Sequence, residues 1–276
     1  MRLPDTTHLE LAFDPQGILH VTLAREQAQN AFNQAMLDEV AALIWALADE
    51  PKVRVVVFRG KGGIFSAGGD LGELKVAMDR SNGTADDAGG GLYHMVRGTG
   101  DLLELIDKCP KIVISVLEGP ALGTGLGIAA VSDVVLVDRS VVLALPEVML
   151  GFSPSQISPF VARRIGFSAM RMLALTATRI DAAEAYRLGF ADYFASDQEA
   201  LEGLLNTVLD AVLGCEPGAV ASTKAMLHDL EVLELGPYLD SAARISVRDL
   251  CSDPGREGLN AFITRTAPTW RRRTGT

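Results

Sequence analysis

Cysteine is scarce in this 276-residue chain: Cys109, Cys215 and Cys251 stand far apart. No CxxC pair and no Cys/His cluster occurs, which argues against a zinc site and a disulfide framework and leaves three reduced thiols as the expectation. Positive charge is also in short supply. There are 25 Lys and Arg against 35 Asp and Glu, a formal net charge of −10, whereas a general nucleic-acid surface needs the opposite sign. Long apolar runs are missing as well. The most apolar central stretch, Ile112 to Val131, is interrupted by Glu118, Pro120 and several glycines, and falls short of the ~18 unbroken apolar residues that span a bilayer. The first residues, MRLPDTTHLE, lack the apolar core of a signal peptide. These absences predict a soluble, cytoplasmic protein with no metal, no membrane partner and no nucleic-acid partner.

What is present is a globular composition, 48% hydrophobic and 22% charged. The length is enough to bury a core without staples. Leu9–Phe13 and Ile18–Leu23 read as a hairpin around the turn-rich Asp14-Pro15-Gln16-Gly17. Ala35–Leu47 carries Met36, Val40, Leu43 and Leu47 at helical spacing. Val53–Phe58 and Ile112–Leu117 are short apolar runs suited to buried strands. Val134–Val137 and Val141–Leu145 read as further strands, and Leu71–Met78, Leu92–Ile106 and Gly125–Ser132 as helices. DRSNGTADDAGGG, residues 79–91, reads as a mobile surface loop, and its Asn82-Gly83-Thr84 sequon as meaningless in a cytosolic chain. After about residue 155 helices prevail: Phe160–Ile165, Ala169–Leu175, Ala182–Leu188, Ala200–Leu213, Ser222–Leu233 and Tyr238–Cys251. The plain reading is an α/β core followed by a helical tail.

Two segments run from a strand through small residues into a helix: Phe65-Ser66-Ala67-Gly68-Gly69-Asp70, and Gly119 to Gly127 (GPALGTGLG). Glycines let backbone approach a ligand closely, and the N–H groups at a helix start point outward with partial positive charge. Two such loops converging can hold one oxygen anion between two backbone donors. Tight turns and helix–sheet packing are the alternative use of the same glycines. A dinucleotide fingerprint is excluded, because Ile128 stands where its third glycine is needed.

Together these loops resemble the enoyl-CoA hydratase/isomerase (crotonase) family. FSAGGD at 65–70 resembles its first oxyanion loop, EGPALGTGLGIAAVSD at 118–133 its second, and PEVMLGFSP at 146–154 its PExxLG segment. RIDAAEAYRLGFAD at 179–192 and AFITRTAPTW at 261–270 extend the likeness over nearly the whole chain. The resemblance implies a crotonase-like spiral of ββα units over residues 1–200. A helical C-terminal region, 201–276, would build a homotrimer or a dimer of trimers. It implies a coenzyme A thioester as substrate, with no cofactor besides that coenzyme A. Its oxyanion donors fall on the N–H groups of Ala67 and Thr124, with Ser66, Gly68, Asp70, Gly123, Leu150 and Gly151 beside the substrate.

Family hydratases use two glutamates, since hydration needs a base for water and an acid for the α-carbon. One is present as Glu147; the other position holds Gly127. A single carboxylate suits a double-bond isomerase and also permits hydration if it both activates water and returns the proton. LGFSPSQISPFVARRIG at 150–166 is similar to hydratases of branched glutaconyl-CoA thioesters, the isohexenylglutaconyl-CoA and 3-methylglutaconyl-CoA types, which makes hydration the leading expectation. Isomerisation, or a catalytically silent thioester-binding homologue, are the alternatives. A glutaconyl group carries a second carboxylate, for which Arg163 and Arg164 are candidate clamps, though each is more simply a solvated helix residue. Ser153, Ser155, Gln156 and Ser158 are candidate neutral donors. His94 is a weaker candidate base, and Glu73 and Glu104 are candidate replacement carboxylates. Asp70 reads as a helix cap. From Arg244 onward seven arginines face three acids, a basic end suited to phosphates.

Overall fold

The computed structural model describes residues 3–81 and 90–271, so the sequon and most of the expected 79–91 loop lie outside the described residues. In chain order the elements are β1 (Leu9–Asp14), β2 (Ile18–Leu23), α1 (Gln34–Ala48), β3 (Val55–Gly60), α2 (Leu71–Arg80), α3 (Gly91–Asp107), β4 (Ile112–Leu117), β5 (Ala121–Leu122) and α4 (Thr124–Val131). They continue with β6 (Val134–Asp138), β7 (Val142–Ala144), α5 (Ser158–Thr176), β8 (Ile180–Asp181), α6 (Ala182–Arg187), β9 (Tyr193–Ala195), α7 (Gln198–Leu213), α8 (Pro217–Val232), α9 (Leu235–Cys251) and α10 (Asp253–Thr264).

The main sheet has the order β1-β2-β3-β4-β6-β9. β1 pairs antiparallel with β2, and every other neighbour is parallel. Its central strands are mostly apolar because both faces are covered. Leu19, Val21, Val56, Phe58, Val113, Val135 and Val137 point into the larger core, with α1, α3 and α4. Alternate residues Ile18, Val55, Val57, Ile114, Val116 and Leu136 point the other way, against Leu201, Leu205 and Leu209 of α7.

A second, smaller ladder runs beside it. β5 pairs with β7 and β7 with β8, and single bridges add Ser66 to Ala121 and Phe32 to Gly69. Chain segments therefore leave the main sheet, touch the small ladder and enter a helix, turn after turn. This is the expected α/β spiral of ββα units, and it stacks the first loop, the second loop and the Pro146-Glu147 turn side by side.

Residue 200, the expected end of the core, falls inside α7, which buries Leu201, Leu205, Val208, Leu209 and Leu213. The chain packs on the sheet to about Leu213. By contrast α8 buries Lys224 alone, α9 nothing and α10 Ala261 alone. Leu227, Leu235, Leu250, Phe262 and Ile263 are exposed on these helices.

Candidate active site

Hydrogen bonding decides which donor of the first loop is available. Phe65 and Ser66 donate their N–H groups to the Pro120 carbonyl (3.0 and 3.1 Å), Ala67 to the Gln29 carbonyl (2.9 Å), and Asp70 to the Phe32 carbonyl (2.9 Å). Gly68 donates to Ser66 Oγ (3.1 Å). Only the Gly69 N–H in the run 65–70 has no partner among the described residues. The expected donor Ala67 is thereby corrected. Its N–H is consumed by the neighbouring turn of the spiral, and the free donor lies two residues on. Gly68 adopts φ 102°, a left-handed conformation open to glycine at little cost.

The second expected donor, Thr124, opens helix α4 as its first residue and is buried; its N–H has no acceptor on its own helix. Gly123 precedes it at φ 47° and donates to the Ala144 carbonyl (3.2 Å). The two loops touch: Thr124 Oγ1 lies 3.8 Å from the point a Cβ on Gly69 would occupy, and a Cβ on Gly125 would meet Ser66 Cβ at 2.6 Å. Glycine at 125 is what lets α4 dock on the first loop.

Glu147 closes the group. It starts the turn Glu147–Leu150 after Pro146 and is only 8% exposed. Its Oε1 lies 3.0 Å from the Cβ position of Gly123, which is itself 3.4 Å from Gly68 Cα. Oε2 is buried with no hydrogen-bond partner among the described residues. Burial raises the Glu147 pKa above the ordinary carboxylate range, opposed only by a hydrogen bond from its own backbone N–H. A poorly solvated carboxyl with one unpartnered oxygen, beside two free N–H donors, can exchange protons with a bound acyl group.

Among the described residues no second carboxylate stands opposite. The place above Gly127 is filled by Leu103 of α3 and by Ile157, whose Cδ1 and Cγ2 lie 2.9 and 3.4 Å from a Cβ built there. Neither residue was singled out in the sequence, and nothing local marks them, since they come from separate elements.

The remaining candidates are placed as follows. Ser66 is fully buried, donating to the Asn30 carbonyl (2.8 Å), so it holds the loop and does not face substrate. Asp70 caps α2 through the N–H groups of Gly72 (3.0 Å) and Glu73 (3.3 Å) and pairs with Arg25 (3.0 Å). Leu150 and Gly151 end the Glu147 turn, exposed. Arg163 pairs with Asp107 and Glu231. Arg164, half-buried, donates to the carbonyls of Phe190 and Ser132 and to the Asp192 carboxylate. Both arginines are spent on structure, which removes the proposed clamp. Ser158 donates to the Pro154 carbonyl, Gln156 packs on Gly100, and Ser153 and Ser155 are exposed. His94 is exposed against Tyr93. Glu73 accepts from the Gln34 N–H, and Glu104 pairs with Lys108 and Arg97; neither joins Glu147.

Comparison with known proteins settles the kinship. The family model for enoyl-CoA hydratase/isomerase matches residues 14–273. The chain belongs to the enoyl-CoA hydratase/isomerase family. Among solved structures it is similar to an enoyl-CoA hydratase/isomerase from Marinobacter aquaeolei, with a TM-score of 0.91, 34% identity, and coverage of 96% of this chain and 99% of that one. It is also similar to AtuE of Pseudomonas aeruginosa, with a TM-score of 0.90, 40% identity, and coverage of 96% and 100%. Among curated relatives, the enoyl-CoA hydratase ACTT6 of Alternaria alternata is 32% identical over 210 residues, 76% of this chain and 66% of that protein. The match thus spans just under two thirds of that relative's length. The crotonase fold is shared along the chain.

Proposed function

We infer that this family member is a hydratase of enoyl-CoA thioesters, and the observation that carries the reading is the buried Glu147, its Oε2 unpartnered among the described residues, set against two free backbone N–H groups. The thioester oxygen lies between the N–H groups of Gly69 and Thr124. As water adds to the β-carbon, charge moves onto that oxygen, and the two donors hold it; one such donor is worth roughly 2.7–4 kcal/mol of transition-state stabilisation. Glu147 takes the proton from the attacking water and returns it to the α-carbon as the enolate collapses. Its raised pKa suits a group that must both accept and give a proton near neutral pH.

The acyl group is of branched glutaconyl type, supported by the resemblance of residues 150–166 to hydratases of such thioesters and of residues 116–133 to the isohexenylglutaconyl-CoA type. Coenzyme A is part of the substrate, and no other cofactor is called for. The exposed apolar residues of α8 to α10 support assembly into trimers or paired trimers through the C-terminal region. A second reading, a double-bond isomerase, is favoured by one observation: Leu103 and Ile157 leave the second position apolar, so one carboxyl moving a proton between carbons would suffice.

Incubation with crotonyl-CoA and a branched glutaconyl-CoA in heavy-oxygen water separates these readings. A hydratase yields a labelled hydroxyacyl product. An isomerase shifts the double bond without label. Binding of CoA thioesters with no turnover of either substrate points to the silent homologue.

A further inference from the structure

The first loop presents one free N–H because Pro120 takes those of Phe65 and Ser66 and the segment Gln29 to Phe32 takes or fixes the rest. Asn30 is fully buried. With Gln29 it forms an adjacent pair of left-handed residues, at φ 53° and 54°, conformations that persist in non-glycine residues only where the surroundings impose them. Asparagine tolerates this region better than most side chains.

The pair reaches the loop at three points. The Gln29 carbonyl accepts from the Ala67 N–H (2.9 Å). The Asn30 carbonyl accepts from Ser66 Oγ (2.8 Å), and that hydroxyl in turn accepts from the Gly68 N–H (3.1 Å). The Asn30 side chain works on the loop's entry, where Nδ2 donates to the carbonyls of Lys61 (2.9 Å) and Ile64 (2.7 Å). Phe32, two residues on, bridges Gly69 from the far side, taking the Asp70 N–H and donating to the Gly68 carbonyl (2.7 Å). With Pro120 holding the Phe65 and Ser66 N–H groups, the segment from Gln29 to Phe32 leaves the Gly69 N–H as the one unspent donor, on the side of the loop away from Phe32.

We propose that Asn30 is a positioning residue of this site: acting through Ser66 and the 61–64 turn, it aims the Gly69 N–H at the substrate oxygen. It touches no reacting atom. The proposal rests on the oxyanion reading given above. Both donor bonds of Nδ2 go to carbonyl oxygens, so an aspartate of the same shape sets an acceptor against acceptors. Asn30→Gly keeps the left-handed backbone and loses only the amide.

The test uses hexadienoyl-CoA, whose conjugated chromophore shifts to the red when donors polarise its thioester carbonyl, bound to Glu147→Gln protein so that no turnover interferes. Crotonyl-CoA turnover is measured in the Glu147 background, with thermal melts alongside. Asn30→Gly and Asn30→Asp are expected to lose most of the red shift and about 10- to 100-fold in kcat, while KM changes by less than about threefold. Ser66→Ala, a milder change that cuts the other arm of the proposal, from the Asn30 carbonyl through the Ser66 hydroxyl to the Gly68 N–H, is expected to lose part of both. A full red shift and full kcat per folded protein in Asn30→Gly, or in Ser66→Ala where Asn30→Gly does not fold, overturns the role of Asn30. Absence of any shift with the Asn30-intact protein overturns the oxyanion reading itself, and the proposal with it.

Discussion

Leu103 occupies the space above Gly127: a Cβ on that glycine would lie 2.9 Å from Leu103 Cδ1. The contact explains how α4 can lack a carboxylate without leaving a cavity, because an apolar side chain from α3 takes its place. Gly127→Glu must displace Leu103 and bury a charge with no partner. It is expected to destabilise the fold by at least about 1–3 kcal/mol. Leu103→Ala alone should cost about 2–5 kcal/mol. Urea denaturation of the double variant is expected to show less than the sum of the two, since one change makes room for the other. Strictly additive costs would show that the two residues do not compete for the same space.

Arg164 is predicted to matter for stability and not for substrate. Its side chain is 13% exposed, and its guanidinium bonds two carbonyls and Asp192. Asp192 also accepts the Val135 N–H (2.7 Å), extending the ladder at the start of β6. Arg164→Ala is expected to cost on the order of 3 kcal/mol, less than the sum of its bonds because Asp192 is 41% exposed and screened. KM for a glutaconyl-CoA should stay within about twofold. A large rise in KM with little loss of stability would restore Arg164 as a carboxylate clamp.

The pH dependence of stability follows from Glu147. Its folded pKa is raised by burial, so between the unfolded and folded values the native state binds more protons than the unfolded chain. Its contribution is complete below the unfolded value, about 4.3, and is lost as pH rises through the folded one. Glu147→Gln removes this titration. The melting temperature of the variant is therefore expected to gain on the wild type as pH goes from about 4 to 8. A difference that stays constant over that range would contradict the burial of the carboxyl.

Much of this was legible in the residues. The apolar runs at β3 and β4 read as buried strands because both faces of the sheet are covered, and Asp70 read correctly as the cap of α2. Other features depend on contacts that sequence spacing does not carry. The free donor at Gly69 was misassigned to Ala67, because the choice is made by Gln29 on another turn of the spiral. Arg163 and Arg164 could be judged only once Asp107, Glu231 and Asp192 were seen beside them. The two expected helices, 160–165 and 169–175, are the two arms of α5, parted at Gly166, which leaves helical geometry at φ 78° and ψ 157°. Helix α10 was missed although Ser252 caps it and a proline stands in its first turn, a usable start signal.

The central claim is that one buried carboxyl carries the acid–base chemistry. The most direct measurement is the turnover of a hydratable enoyl-CoA by Glu147→Gln, which keeps the shape of the side chain and removes the proton exchange. The account predicts that kcat falls by about 10²–10⁴-fold while the thioester still binds with an affinity close to that of the wild type. Wild-type turnover in the variant would contradict it.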